Sequence, residues 1–188
     1  MKRTLITLLL ILSSLQADYF TDARSAYHEG DYKESISILD EACSSGVLDA
    51  CFVLGVMYDR AEVVAQDLPL AVVLYTKACE GSVSGACGRL GTFYFRGIGV
   101  TKNRAHGKVL YAKACDNGHA RSCIRLGRIY ENSDNVEDQA VVTQRGLIPT
   151  FFNYDEDMRK AKTFYSKACD LGDSKGCRLY KKLNYLGL

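Results

Sequence analysis

The chain has 188 residues, a length that suits one domain more easily than two. Its 24 basic and 22 acidic side chains give a formal net charge of +2, and two of the basic residues lie at the extreme N-terminus. Without those two the charges balance, so there is no basic excess to drive counterion release and nucleic acid is not expected as a partner.

The first 17 residues have the pattern of an export signal. Lys2 and Arg3 precede an apolar run from Leu5 to Leu12, and small residues up to Ala17 form a cleavage region. A retained membrane anchor is the alternative, but the apolar run is too short to span a bilayer easily. We therefore expect a signal peptide at 1–17 and an exported mature domain at 18–188, in the periplasm or secreted.

The eight cysteines form four pairs in which the members are eight residues apart. Successive pairs begin 36, 36 and 54 residues after one another, and all eight positions are Cys43, Cys51, Cys79, Cys87, Cys115, Cys123, Cys169 and Cys177. In an exported chain this spacing predicts a local disulfide within each pair. Structural zinc is the alternative, but it requires ligands two to four residues apart, and the chain has only three histidines. No metal or cofactor is expected.

The residues around the cysteines recur with the same period. Tyr-x-Lys-Ala-Cys precedes three pairs, with tyrosines at Tyr75, Tyr111 and Tyr165 and lysines at Lys77, Lys113 and Lys167. Leu-Gly-x-x-Tyr follows the second cysteine three times and contains Gly55, Gly91 and Gly127. Apolar spacing predicts two helices in each unit, beginning near Tyr32, after a capping helix at 22–29. Such a period indicates stacked helix pairs in about four units.

Glycine marks two points of each unit. Gly46, Gly118 and Gly172 follow the first helix, where glycine tolerates the left-handed conformation that ends a helix. The glycines of Leu-Gly-x-x-Tyr lie inside the second helix, where each costs about 1 kcal/mol relative to alanine. A recurring cost of this size predicts a close approach between helices.

The tyrosines are expected to pack between units rather than to stack on a ligand. The lysines are expected to be solvated near helix C-termini, and an anion-binding groove is the alternative.

An insertion of 18 residues separates the third and fourth units, near 132–154. Its later part is apolar and aromatic, and long loops with such a composition are commonly functional. We predict a partner-binding loop in which the candidates are Leu147, Ile148, Phe151, Phe152 and Tyr154. The alternative is that these side chains fill a gap between the two units.

The combined pattern resembles the Sel-one-like repeat, a relative of the tetratricopeptide repeat. With Gly97-Ile-Gly99-Val, the cysteine pairs and the export signal, it is similar to the Helicobacter cysteine-rich protein family. The resemblance implies an all-α fold, a right-handed α/α superhelical solenoid with disulfides inside each repeat. It also implies a role in protein interaction, and some members are described as penicillin-binding proteins or slow β-lactamases.

No β-lactamase motif is present in the mature chain. A serine enzyme needs a lysine three residues after the nucleophilic serine, and no serine has one. Ser133-Asp134-Asn135 matches a secondary motif without its partners, and a metallo-enzyme would need more histidines. The catalytic residues are therefore unknown. The expected function is a scaffold that binds a protein, a peptide or a cell-wall fragment, and the alternative is a slow β-lactam hydrolase.

Overall fold

The computed structural model describes residues 19–132, 142–143, 146–147 and 154–185. The chain divides into two compact units, Met1–Val83 and Ser84–Leu188. The predicted leader and most of the insertion lie outside the described residues. Among the described residues, no helix is long and apolar enough to cross a membrane.

The first unit consists of helices joined by short turns. Residues 19–29 form α1, followed by α2 (Tyr32–Ser44), α3 (Leu48–Arg60) and α4 (Leu68–Glu80). The predictions of an N-terminal helix and of helix pairs from Tyr32 are confirmed. Asp31 and Asp67 are the N-cap residues of α2 and α4, and each side chain accepts a hydrogen bond from the backbone amide three residues on.

The second unit repeats this arrangement. It contains α5 (Ser84–Arg96), α6 (Arg104–Asp116), α7 (Ala120–Glu131), α8 (Tyr154–Asp170) and α9 (Ser174–Tyr185). Asn103 is the N-cap residue of α6 and lies one 36-residue period after Asp67. The side chain of Asn103 accepts a hydrogen bond from the amide of His106 at 2.9 Å. The capping residue is thus another periodic element of the sequence.

The insertion contains two short strands. Val142–Thr143 (β1) pairs antiparallel with Gly146–Leu147 (β2), with Val142 opposite Leu147. The prediction that Tyr154 belongs to a loop is wrong, because α8 already begins at Tyr154. Acidic residues favour a helix N-terminus, and a Glu156–Lys160 ion pair of 2.6 Å supports the additional turn. Helix α8 therefore has 17 residues, whereas α4 and α6 have 13.

The predicted left-handed turns are confirmed. Gly46, Gly118 and Gly172 have φ angles of 98°, 87° and 82°. The second pair has Ser82 at the same place, with φ at 69°. Serine adopts this conformation at a steric cost that glycine avoids.

Candidate functional site

The cysteines lie where the first helix of each pair ends and the next one begins. The bridge between Cys43 and Cys51 has a Cα–Cα distance of 4.7 Å, and the bridge between Cys115 and Cys123 one of 4.9 Å. Cys169 is bridged to Cys177 at 4.4 Å, and the remaining two cysteines are disulfide-bonded as well. These distances are typical of disulfides. Each of these three bridges links two consecutive helices close to the turn that joins them.

Each glycine of the Leu-Gly-x-x-Tyr motif lies against a buried tyrosine of the following helix. A Cβ atom at Gly55 would lie 2.9 Å from Cε1 of Tyr75, and one at Gly91 would lie 2.9 Å from Cδ1 of Tyr111. Gly127 is in the same kind of contact with Tyr165. The three tyrosines are at most 2% exposed. The predicted close approach of helices is confirmed, and these rings are part of the core rather than a surface for a ligand.

The tyrosine hydroxyls have different partners in each repeat. Tyr75 donates to Asp59 at 3.0 Å, and Tyr165 donates to Glu131 at 2.6 Å. Burial by itself would raise the pKa of Glu131, but hydrogen bonds from Tyr165 and Lys182, with the positive charges of Lys182 and Arg128, hold it below its ordinary value. Burial and the hydrogen bond to Glu131 raise the pKa of Tyr165, so this hydroxyl remains protonated.

The recurrent lysines are exposed but engaged. Lys77 donates to the carbonyl oxygen of Cys43 at 2.7 Å, in the last turn of α2. Lys167 donates to the carboxylate of Asp116, the last residue of α6, at 2.8 Å. These two lysines are exposed near helix C-termini, as expected. Each side chain also reaches the C-terminal end of the preceding first helix, where a cation is stabilised by the helix dipole.

A solvent-open cavity of about 470 Å³ lies in the second unit and is lined by α5, α6, α7 and the start of α9. Its buried floor includes Tyr111, Ile124 and Ile129. Five basic side chains line it: Arg96, Arg121, Arg125, Arg128 and Lys175. We call it the basic cavity. Three of the arginines come from one face of α7, because their spacing of four and three residues matches the helical period.

Two charged side chains of the basic cavity are held by hydrogen bonds. Arg125 donates to the hydroxyl of Tyr111 at 3.2 Å, and its guanidinium lies 5.6 Å from the centre of that ring. Asp173 is the acidic residue of the lining, and its Oδ1 accepts from the amides of Lys175 and Gly176 at the start of α9. This carboxylate keeps its charge of −1 while it caps the helix, so the five basic side chains and the one acidic side chain leave the lining with a formal excess of four positive charges, 5 − 1 = 4.

His119 and Ser122 form a hydrogen-bonded pair beside these arginines. The distance from Nδ1 to Oγ is 2.8 Å. Burial and the nearby charges of Arg121, Arg125 and Arg89 lower the pKa of His119. A histidine beside a serine is a pattern found in hydrolases, but Ser122 is fully buried, so this hydroxyl cannot reach a substrate.

Ser133 to Asn135 lie outside the described residues, as do Ile148, Phe151 and Phe152, and the side chains of Leu147 and Tyr154 are not described either. Among the described residues, no cluster of side chains could hold a metal ion.

Sequence reasoning did not find the basic cavity. The signal was present in α7, where arginines at positions four and three apart are interspersed with buried residues. The overall charge balance concealed it, because acidic residues elsewhere compensate for these arginines.

This chain is a helical-repeat protein, because its helix pairs recur with a period of 36 residues. The chain belongs to the Sel1 repeat family, whose model matches residues 48–83, 84–119, 120–139 and 152–173, more than half of the chain. Each of the first two matched stretches begins with the second helix of a pair. With the repeat boundaries that the family model sets, the bridges join adjacent repeats. The expectation of disulfides inside each repeat is therefore wrong.

Three solved structures are similar to this chain, and the first two have the same fold. A Sel1 repeat protein from Oxalobacter formigenes matches 82% of this chain and 56% of its own, with 24% identity and a TM-score of 0.64. A protective antigen present in uropathogenic Escherichia coli strains, which displays an SLR fold, matches 89% of this chain and 33% of its own, with 23% identity and a TM-score of 0.67. Helicobacter pylori cysteine rich protein B is 24% identical over 75% of this chain and 93% of its own, with a TM-score of 0.49.

These likenesses show the fold, an all-α solenoid of Sel1 repeats. The chain spans about half of the Oxalobacter protein and a third of the E. coli protein. None of the curated proteins compared with it matches its sequence.

Proposed function

We propose that this protein is an exported scaffold that binds a partner protein or a cell-wall fragment through the basic cavity. The observation that carries the proposal is the cavity itself, which is open to solvent, has a buried apolar floor and presents exposed arginines. Ligand sites commonly combine an apolar lining with a few polar groups that orient the ligand. Sel1 repeats typically mediate protein interactions, which favours a protein partner.

The cysteines support export. Each of the eight is disulfide-bonded, and such bonds persist in oxidising compartments. Cleavage after Ala17, and residence in the periplasm or outside the cell, remain part of the proposal.

A β-lactam hydrolase is not favoured by any contact that we describe. Among the described residues, Ser122 of α7 and His119, the N-cap residue of that helix, form a hydrogen-bonded pair, but the serine is inaccessible. Incubation with nitrocefin and with a fluorescent penicillin distinguishes the two functions. We expect neither turnover nor covalent labelling. Turnover of nitrocefin or covalent labelling by the penicillin would favour the enzyme.

A displayed library of random peptides tests the scaffold directly. Selection on the oxidised protein should return peptides that bind it and fail to bind the variant Arg125→Trp, in which an indole obstructs the cavity. Lys181→Trp on α9 is the matched control, because it adds the same side chain at an exposed position outside the cavity lining. If no selected peptide distinguishes Arg125→Trp from the control, the basic cavity is not the binding site.

The aromatic part of the insertion is a second proposed contact for the same partner. Deleting residues 135–152 and joining the ends with a short Gly-Ser linker should leave a folded protein with weaker binding. A molten or aggregating deletion protein would mean instead that the aromatic residues belong to the core, and the loop would not be a binding element.

A further inference from the structure

The charges of the mature chain are strongly partitioned along the sequence. Residues 18–83 contain 4 basic and 12 acidic side chains, a formal charge of −8, whereas residues 84–188 contain 18 basic and 10 acidic, a formal charge of +8. The overall charge of zero is therefore an average over two opposite halves. The basic cavity lies in the basic half, so the field around it attracts anions over a distance of about a Debye length, ~8–10 Å.

The arginines of α7 suit carboxylates arranged in a line. Guanidinium groups bind carboxylates through two parallel hydrogen bonds. At a rise of 1.5 Å per residue, Arg121 and Arg125 are separated by about 6 Å along the helix axis. Alternate residues of an extended peptide are about 6.6 Å apart and point to the same side. Acidic residues at every second position of an extended segment would therefore match this pair. Arg128 lies about 4.5 Å further along the same face of the helix, within reach of a third acidic side chain.

The floor of the cavity suits the side chains between those acids. In an extended segment, the intervening residues point away from the acidic ones. Ile124 and Ile129 are 6% and 5% exposed, and Phe95 lies beside them. A volume of about 470 Å³ is at the lower end of the range for ligand sites, so a short segment is enough to fill it.

The aromatic rings of the cavity argue against a single-stranded nucleic acid. Such ligands stack their bases on exposed rings. Here the guanidinium of Arg125 lies over Tyr111, and that of Arg104 lies 5.1 Å from the centre of the Phe95 ring. Both rings already have a cation on one face, and Tyr111 is only 2% exposed.

We propose that the basic cavity binds an extended acidic segment of a partner protein, in which carboxylates alternate with apolar side chains. This inference rests on the proposed function and specifies its ligand. Arg121, Arg125 and Arg128 bind the carboxylates, and the apolar floor receives the side chains between them. Arg125 is already oriented by its hydrogen bond to Tyr111.

A fluorescein-labelled heptapeptide of alternating glutamate and leucine is the probe, and fluorescence anisotropy with the full oxidised chain measures its affinity. The same peptide with glutamine in place of glutamate controls for the apolar contribution. Replacing Arg121 and Arg128 together with glutamine should weaken binding by about tenfold or more, because hydrogen bonds to charged groups contribute this much when lost. The glutamine peptide should bind the wild-type protein at least as weakly as the acidic peptide binds this variant, because the variant keeps Arg125.

The variant R178Q/K181Q is the matched control. It removes two positive charges from exposed positions of the same basic half, away from the cavity lining. We expect its affinity to lie within about threefold of wild type, because exposed charges outside a contact act only through a screened field. Equal losses in the two double variants would show nonspecific attraction and overturn the proposal. Circular dichroism melting of both variants establishes that they are folded.

Two further outcomes separate this inference from the proposed function. If the peptide selection returns sequences that depend on the cavity but lack acidic residues, the scaffold is retained and the acidic ligand is wrong. If labelled polyuridylate binds more tightly than the acidic peptide and is displaced by the same arginine substitutions, the ligand is a nucleic acid and the proposal fails.

Discussion

Replacing Gly91 with alanine tests the helix contact that recurs through the chain. An added Cβ would lie 2.9 Å from Cδ1 of Tyr111, 3.1 Å from its Cε1 and 3.2 Å from the carbonyl oxygen of Gly107. The ring cannot move aside easily, because Tyr111 is 2% exposed and its hydroxyl is hydrogen-bonded to Thr92 and Arg125. The contact therefore has to be relieved by a shift of α5 against α6.

Two opposing effects determine the size of the change. Alanine is favoured over glycine in a helix by about 1 kcal/mol, whereas overpacking a core costs about 1–3 kcal/mol. The clash involves both a ring and a backbone oxygen, so the upper half of that range applies. We expect a net loss of about 1–2 kcal/mol in the free energy of unfolding, and a melting temperature lower by several degrees.

Urea unfolding of the oxidised protein, followed by circular dichroism, measures this loss. The double variant Gly91→Ala/Tyr111→Leu is the control, because removal of the ring leaves room for the new methyl group. Its loss of stability should be smaller than the sum of the two single losses. A Gly91→Ala protein that is as stable as wild type, or more stable, would show that the helices are not in close contact at this point.

Three other changes follow from the same structure. Ser82→Gly should raise the free energy of unfolding by up to about 1 kcal/mol, since glycine relieves the left-handed strain at a φ of 69°; a drop in the urea midpoint would argue against strain. Glu131→Gln should destabilise the protein at neutral pH, and its difference from wild type should shrink as the pH falls below the unfolded value near 4.5. The pKa of Glu131 is lowered in the folded state, so its contribution is present above the unfolded value near 4.5 and is lost as the pH falls through the folded pKa; a difference from wild type that is independent of pH would contradict this. Reduction should lower the melting temperature strongly, because each short bridge contributes about 2–3 kcal/mol to a net stability of about 5–15 kcal/mol. Peptide mapping without reduction should return only bridges between cysteines eight residues apart, and a bridge of any other spacing would refute the pairing.

The sequence alone predicts the repeat and two of its recurring contacts. Cysteines eight residues apart predict a link between consecutive helices, and a glycine inside each second helix predicts a close approach, because its conformational cost would otherwise be unexplained. The caps at Asp31, Asp67 and Asn103 could have been found by the same period, since capping requires a short polar side chain at each helix start.

Other features depend on tertiary structure or on how the charges are counted. The bond from Lys77 to the carbonyl of Cys43 joins residues 34 positions apart, and no local pattern indicates it. The early start of α8 departs from the period, and only the acidic residues before Met158 suggest it. The arginines of α7 were missed because charge was summed over the whole chain; a sum over each half would have shown the basic segment.

The titration of His119 tests the binding site most directly. Burial and the charges of Arg121, Arg125 and Arg89 lower the pKa of this imidazole, and two of those arginines line the basic cavity. Carboxylates placed against them would offset the positive charge and favour protonation of the ring. Nuclear magnetic resonance of the histidine ring protons gives its pKa in the free protein and with a saturating amount of the acidic peptide. We predict a value below the ordinary 6.5 in the free protein and a higher one in the complex. A pKa of His119 that is unchanged while the peptide is bound would place the peptide elsewhere and contradict the assignment of the cavity.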